Sequence, residues 1–195
     1  MSAGPQSQRA RALPPEERRR AIIAATLPLL IEHGASITTR QIAEAAGIAE
    51  GTIFRVFPDK ESLIDAALES AFDSAELQSQ LNAIDRSLDL DARLVVAIGH
   101  VQARIARIFQ LMSSVQPSSN GKHPGKKPPS HEDMAALVAL IEPDRAQLRL
   151  DPPAVAQVLR GLTFAGTHPM LALDGPMSPA EIVSLALDGV RAHTC

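Results

Sequence analysis

The chain has 195 residues, 45% of them apolar, and carries a net charge of −3 with five Phe, no Trp and no Tyr. That length suits one domain of ordinary size or a small domain joined to a medium one, and the apolar share excludes global disorder. The lone cysteine, Cys195, excludes a disulfide framework and a zinc site built on cysteines.

With so few rings, the core must be made of Leu, Ile, Val and Ala, which suits packed helices. No apolar run is expected to reach the ~18 residues of a membrane span. The N-terminal MSAGPQSQRARALPPEERRR has no apolar stretch after its charges, so it does not read as a secretory signal. A soluble cytoplasmic protein is the expectation. Residues 1–60 hold eight Lys/Arg against six Asp/Glu, and residues 61–195 hold eleven against sixteen. A mildly basic head on an acidic body is compatible with an anionic partner for the head.

Residues 1–14 contain Ser, Gly, Pro and Arg without periodicity and read as a flexible arm. A first helix is expected from Pro15 to His33, with Ile23, Leu27, Leu30 and Ile31 inward and Gly34 as its stop. Pro28 inside it should kink or strain the helix. Thr38 and Gln41 form a capping box that starts a second helix at Thr39. This one is short, with Ile42, Ala43 and Ala46 inward, and stops at Gly47. A third helix follows, its Ile53, Phe54 and Phe57 spaced as one face, and Phe57-Pro58 ends it. Asp59 caps a fourth, which carries Leu63, Ile64, Ala67, Leu68 and Ala71 on one side.

The clearest periodicity is Leu94, Ile98, Val101, Ile105, Ile108 and Met112, spaced 4-3-4-3-4. It predicts a long amphipathic helix packed along its whole length. Ser113 to His131 is rich in Pro, Gly, Ser and Lys and reads as a loop; loops of that length are functional or disordered. A helix from Glu132 to Ile141 comes next. Asp151-Pro152-Pro153 caps another, with Val155, Val158, Leu159, Leu162 and Ala165 on its face. Ser178-Pro179-Ala180-Glu181 is a second capping box, followed by Ile182, Leu185, Ala186 and Val190. With no hairpin signal and no repeat, the architecture reads as all-α with eight or nine helices.

The second and third helices, joined at Ala46-Gly47-Ile48, make a helix-turn-helix. In that motif the second helix presents its N-terminal residues to the major groove. Gly51 falls at the start of that helix, where glycine is unfavourable by roughly 0.5–1 kcal/mol relative to alanine in a helix interior. A missing side chain there lets the backbone approach a duplex, and Thr52 with the free N–H groups can meet phosphate.

TTRQIAEAAGIAEGTIFRVFPDKESL resembles the DNA-binding segment of TetR-family transcriptional regulators. The matches are Thr39, Ile42, Ala43, Ala46, Gly47, Gly51, Thr52, Ile53, Phe57, Lys60, Glu61 and Leu63. The resemblance covers residues ~15–70, and the motif is specific; beyond it only the helical layout is similar. It implies that Thr39, Gly51, Thr52 and Lys60 touch the DNA backbone. Lys60, in the first turn of the fourth helix, opposes the helix dipole, and a phosphate would explain it. Arg55 stands at a variable position of the reading helix, where it could contact guanine or phosphate, and Arg40 could contact phosphate. The chain departs from the family pattern at four points. Ala49 replaces a cap serine and forfeits ~0.5–2 kcal/mol. Phe54 replaces a tyrosine, Val56 a histidine, and Glu50 repels phosphate unless it accepts from a cytosine amine. Arg9, Arg11, Arg18, Arg19 and Arg20 are expected to compensate in part.

The resemblance also divides the chain into the arm (1–14), a DNA-binding domain (15–65) and a helical ligand-binding and dimerisation domain (66–195). The last two long helices would pair with their copies in a homodimer. Val155, Val158, Leu162, Ala165, Ile182, Leu185 and Ala186 would line the interface, with the small residues Ala154, Ala156, Gly161, Ala165 and Gly166 allowing close approach. An apolar effector pocket would draw on Ile98, Val101, Ile105, Phe109, Met112, Leu137, Phe164 and His168, with His100, Gln102, Arg104, Gln110, Thr163 and Thr167 as further polar candidates. The implied function is a repressor of a palindromic operator, released by a small, largely apolar ligand. The alternative is a helical small-molecule binding protein with a weakened or lost DNA-binding head. His123 and His131 lack a nearby carboxylate pair, and no Gly-rich phosphate loop, G-x-S-x-G or H-E-x-x-H occurs. No catalytic residue, metal or cofactor is therefore assigned.

Overall fold

The computed structural model describes residues 14–115, 131–172 and 175–190. They form nine helices: α1 (Pro15–His33), α2 (Thr39–Ala45), α3 (Glu50–Ile53), α4 (Lys60–Phe72), α5 (Ala75–Asn82), α6 (Leu90–Ser114), α7 (His131–Ile141), α8 (Pro152–Thr167) and α9 (Pro179–Val190). No strand occurs among the described residues. The arm's Arg9 and Arg11, His123, and most of the Pro/Gly/Lys-rich stretch lie outside them.

Local chemistry sets the helix starts. Thr38 and Gln41 form the expected capping box at α2. Asp59, Asp89 and Asp151 accept from backbone N–H groups at the starts of α4, α6 and α8. At α9, Ser178 and Glu181 bond each other's backbone N–H reciprocally. Each side chain satisfies a donor the helix cannot pair itself. The helix α1 runs through Pro28 without a break.

Two apolar cores result. The N-terminal one gathers Ile22 and Leu30 of α1, Ile42 of α2, Ile53, Phe57, Leu63, Ala67 and Ala71. The second gathers α5 through α9, with Leu94, Ile98, Leu137, Leu140, Val155, Leu159, Ile182 and Leu187. Leu111 of α6 belongs to the first core and Leu94 and Ile98 to the second, so α6 ties them together. At its end Ser114 donates to the Ile31 carbonyl. Gly34, at a φ of 61°, lies so close to the Ser114 carbonyl that any Cβ would clash.

Four expectations need correction. The buried face of α1 is Ile22, Thr26 and Leu30, with Ile23, Leu27 and Ile31 only half-buried around it. The helix α3 has just four residues, prolonged by turn hydrogen bonds from Val56 and Phe57 to Ile53. Ile53 and Phe57, four apart, point inward, whereas Phe54 is 52% exposed and does not share their face. Third, α6 is not packed evenly along its length: after Ile98, Val101, Ile105 and Ile108 are half-buried, Leu111 is buried again in the first core, and Met112 is exposed. Finally, α6 is long and apolar enough to cross a membrane by length and composition, which a search for uninterrupted apolar runs overlooks. Here it packs on α1, α4, α5, α7, α8 and α9.

Candidate nucleic-acid interface

The turn between α2 and α3 is set by Gly47. Its φ of 65° suits a residue without Cβ. Its N–H bonds the Glu44 carbonyl, and the Ile48 N–H bonds the Ala43 carbonyl. These are the two bonds of a Schellman stop, which closes α2 and redirects the chain. Ile42, Ala43, Ile53 and Phe57 hold the pair of helices down on the core. As a result, Arg40, Ala49, Glu50, Gly51, Phe54 and Arg55 are exposed along one edge, with Thr39 and Thr52 half-buried among them.

Gly51 differs from the other two glycines of this region. Gly34 and Gly47 have positive φ, and Gly51 does not. A Cβ built on Gly51 meets no atom within 4 Å. Neither backbone conformation nor internal packing demands glycine there.

Two of the expected DNA-facing residues bond each other. The Thr39 hydroxyl donates to a carboxylate oxygen of Glu50 at 2.5 Å, joining the first turns of α2 and α3. Glu50 therefore has an internal partner, a role the sequence reading did not consider. Lys60 likewise has one: its Nζ donates to the carbonyls of Ala35 and Ile37, each at 3.1 Å. Those acceptors account for a cation in the first turn of α4 without any phosphate. An ammonium has three donors, so two internal bonds leave one. Ala49 supplies no side-chain cap to α3, as its methyl group requires. The Asp59 carboxyl sits below its usual range because the Ser62 hydroxyl and then the Ser62 N–H donate to it.

Of the basic residues expected to reinforce the edge, Arg18, Arg19 and Arg20 belong to the first turns of α1. Arg19 lies over the Phe57 ring, 4.5 Å from its centroid, a cation–π contact that ties α1 to the end of the reading helix.

The C-terminal candidates separate into two groups. Val155, Ile182 and Ala186 are buried in the second core and are not available to a partner. Val158 and Leu185 are exposed, and Leu162 and Ala165 half-buried, on the outer side of α8 and α9. Gly161 and Gly189 on those helices have open space where a Cβ would be. Among the effector candidates, Ile98 and Leu137 are core residues. Phe109, Phe164 and His168 form a cluster of rings with centroids 4.7–5.6 Å apart, Phe164 being 47% exposed. Val101 and Ile105 are half-buried, and Met112 is exposed.

Sequence reading missed Arg93. Its side chain is 3% exposed and pairs with Asp144. It also donates to the carbonyls of Leu140 and Leu88, both at 2.8 Å. The signal that could have found it is a lone arginine next to Leu94 on the inner side of α6.

Residues 22–67 match the family described as bacterial regulatory proteins, tetR family. The nucleoid occlusion factor SlmA of Haemophilus ducreyi is 32% identical over 94 residues, which is 47% of this chain and 46% of that protein. The HTH-type transcriptional repressor KstR of Rhodococcus jostii is 41% identical over 59 residues, 30% of this chain and 28% of that one. The chain thus spans half or less of the curated relatives it matches. The crystal structure of a TetR transcriptional regulator from Streptomyces coelicolor superposes with a TM-score of 0.61 at 22% identity. The superposition covers 90% of this chain and 99% of that one, a likeness in fold.

Proposed function

We propose that this chain, whose residues 22–67 match the family of bacterial regulatory proteins, tetR family, is a DNA-binding transcriptional regulator that recognises an inverted-repeat operator as a homodimer. The family is one of regulators rather than enzymes, so the chain is not assigned a reaction. One observation carries the reading. Gly51 is exposed, has no positive φ, and faces empty space where its side chain would be. Only an outside surface approaching the α3 backbone has a use for glycine at that position. A sugar–phosphate strand fits, with Thr52, Arg40 and the remaining Lys60 donor beside it.

On this reading Arg55, exposed on the same edge, reaches base edges. Thr39 exchanges its Glu50 acceptor for phosphate when DNA arrives. Two copies supply two half-sites about one helical turn apart, joined through Val158, Leu162, Ala165 and Leu185. An effector near the Phe109, Phe164 and His168 rings releases DNA only by favouring a subunit arrangement whose reading helices no longer fit both half-sites. KstR is named a repressor, which favours repression here.

Selection of bound sequences from a random duplex pool tests the proposal. The expected product is an inverted repeat bound by a dimer, with binding weakened in Gly51→Ala although that variant stays folded. Retention of no duplex would instead favour a helical ligand-binding protein with a silent head. The Thr39–Glu50 bond and the missing hydroxyl at Phe54 are the observations on that side.

A further inference from the structure

On α6, the face bearing Ala103, Arg104 and Arg107 lies away from the apolar stripe. It forms one wall of a cleft of about 210 Å³, whose other wall is the α4–α5 junction with Asp73, Glu76 and Leu77. Of the residues lining it, His100 and Arg104 are among the polar effector candidates, and none of the apolar candidates is. Two guanidinium groups line this wall, and they are used differently. Arg104 donates through Nη2 to the Phe72 carbonyl at 2.8 Å, holding the last turn of α4. Among the described residues Arg107 makes one polar contact, from Nη2 to a Glu76 carboxylate oxygen, at 3.4 Å. Its Nε is screened from solvent and has no acceptor among the described residues.

Nε and Nη2 form one edge of the guanidinium fork, the edge that grips a carboxylate with two parallel bonds. Glu76 engages half of that edge, at a distance longer than an ordinary charge-assisted bond. Glu76 is itself 64% exposed and, among the described residues, is otherwise held by Gln80 at 3.5 Å. An exposed, loosely held carboxylate over a half-used fork is a placeholder, displaceable by one with better geometry. Exposed Ala103, with the narrow accessible edge of Leu77 (4% exposed), offers the displacing group an apolar surface for a short carbon chain.

We propose that this cleft binds a small aliphatic carboxylate, its carboxylate on the Nε/Nη2 edge of Arg107 in place of Glu76 and its carbon chain against Leu77 and Ala103. The planar fork and the apolar wall favour an organic carboxylate over inorganic phosphate, which shares the anionic chemistry but has no use for the second feature. The site stands apart from the DNA-binding reading and can be measured without DNA. Through Arg104 and Phe72 it adjoins the C-terminal end of α4, whose first residue, Lys60, holds the link between α1 and α2.

Isothermal titration calorimetry of the full chain with butyrate tests this, with inorganic phosphate and n-butylamine as comparison probes. Butyrate should bind saturably at one site per chain, and the other two should not. Arg107→Gln should abolish the binding, and Arg107→Lys should weaken it, because a point charge lacks the fork. Glu76→Gln should tighten it about two- to fivefold, the range in which an exposed ion pair competes. Circular dichroism and thermal melts of each variant establish that the fold is intact. The proposal is overturned by absent butyrate binding, by equal binding of phosphate, by preference for the amine, or by a Glu76→Gln variant that binds no tighter. None of these outcomes bears on whether the chain selects an inverted repeat.

Discussion

The polar groups at the α6–α7 junction and those along the α2–α3 edge are treated in opposite ways. Arg93 is buried, and Asp144 with the carbonyls of Leu140 and Leu88 absorbs its donors. At 3% exposure the guanidinium is closed to another molecule. Along the α2–α3 edge, Arg40, Arg55 and Phe54 are exposed, and Gly51 leaves bare backbone. A polar group satisfied inside the chain builds architecture; one left facing out is available for recognition. Thr39, Glu50 and Lys60 fall between the two, with internal partners at an otherwise open edge.

The largest effect expected from that contrast is at Arg93. Arg93→Ala leaves Asp144 with the Gln147 amide but no cation, removes the donor from the Leu88 and Leu140 carbonyls, and should cost about 3–5 kcal/mol in denaturant unfolding. A loss below ~1 kcal/mol would place Arg93 with ordinary surface arginines and erase the distinction. Lys60→Ala comes next, at about 1–3 kcal/mol for two lost charge-assisted bonds. If its remaining donor also meets phosphate, the variant weakens all duplexes about equally and flattens the salt dependence of binding. Normal DNA binding at reduced stability would confine Lys60 to architecture.

Gly51→Ala sharpens the contrast most cleanly, because its two effects have opposite signs. Thermal melts should show unchanged or higher stability, by up to ~1 kcal/mol. A lost close approach worth ~1.4 kcal/mol per half-site would weaken operator binding about tenfold for each. A variant that binds normally would show that the bare backbone at residue 51 touches nothing. Glu50→Gln keeps the Thr39 contact, removes the charge, and should tighten DNA binding in gel shifts at low salt.

The smallest effect is a pH dependence. Donors from Ser62 hold the Asp59 carboxyl below its ordinary value. Its contribution to stability is therefore complete above the usual carboxylate range and is lost as pH falls through the lowered folded value. Asp59→Asn keeps a cap that cannot titrate and should reduce the acid-limb slope of unfolding free energy against pH. Asp85 and Glu181, lowered by Ser87 and Ser178, add to the same limb and would remain.

The legible part of this chain was local. Capping boxes at Thr38 and Ser178, aspartate caps at Asp59 and Asp151, and the stop at Gly47 depend on residues within a few positions of each other. So do the helix-turn-helix and the exposed edge it carries. Their hydrogen bonds close inside a single turn, so sequence spacing determines them. What only the tertiary structure decided was which side of each helix is satisfied and by whom. The α1 face is centred on Ile22 rather than Ile23, because α1 packs on α4 and the end of α6. Val155, Ile182 and Ala186 share helices and periodicity with Val158 and Leu185, yet only the last two remain outside. Arg93 and Arg107 are identical in chemistry and lie on one helix. The acceptors that separate them come from α7, the Glu142–Gln147 turn and α5. Those contacts span tens of residues, and no local pattern encodes a partner that the fold alone brings within reach.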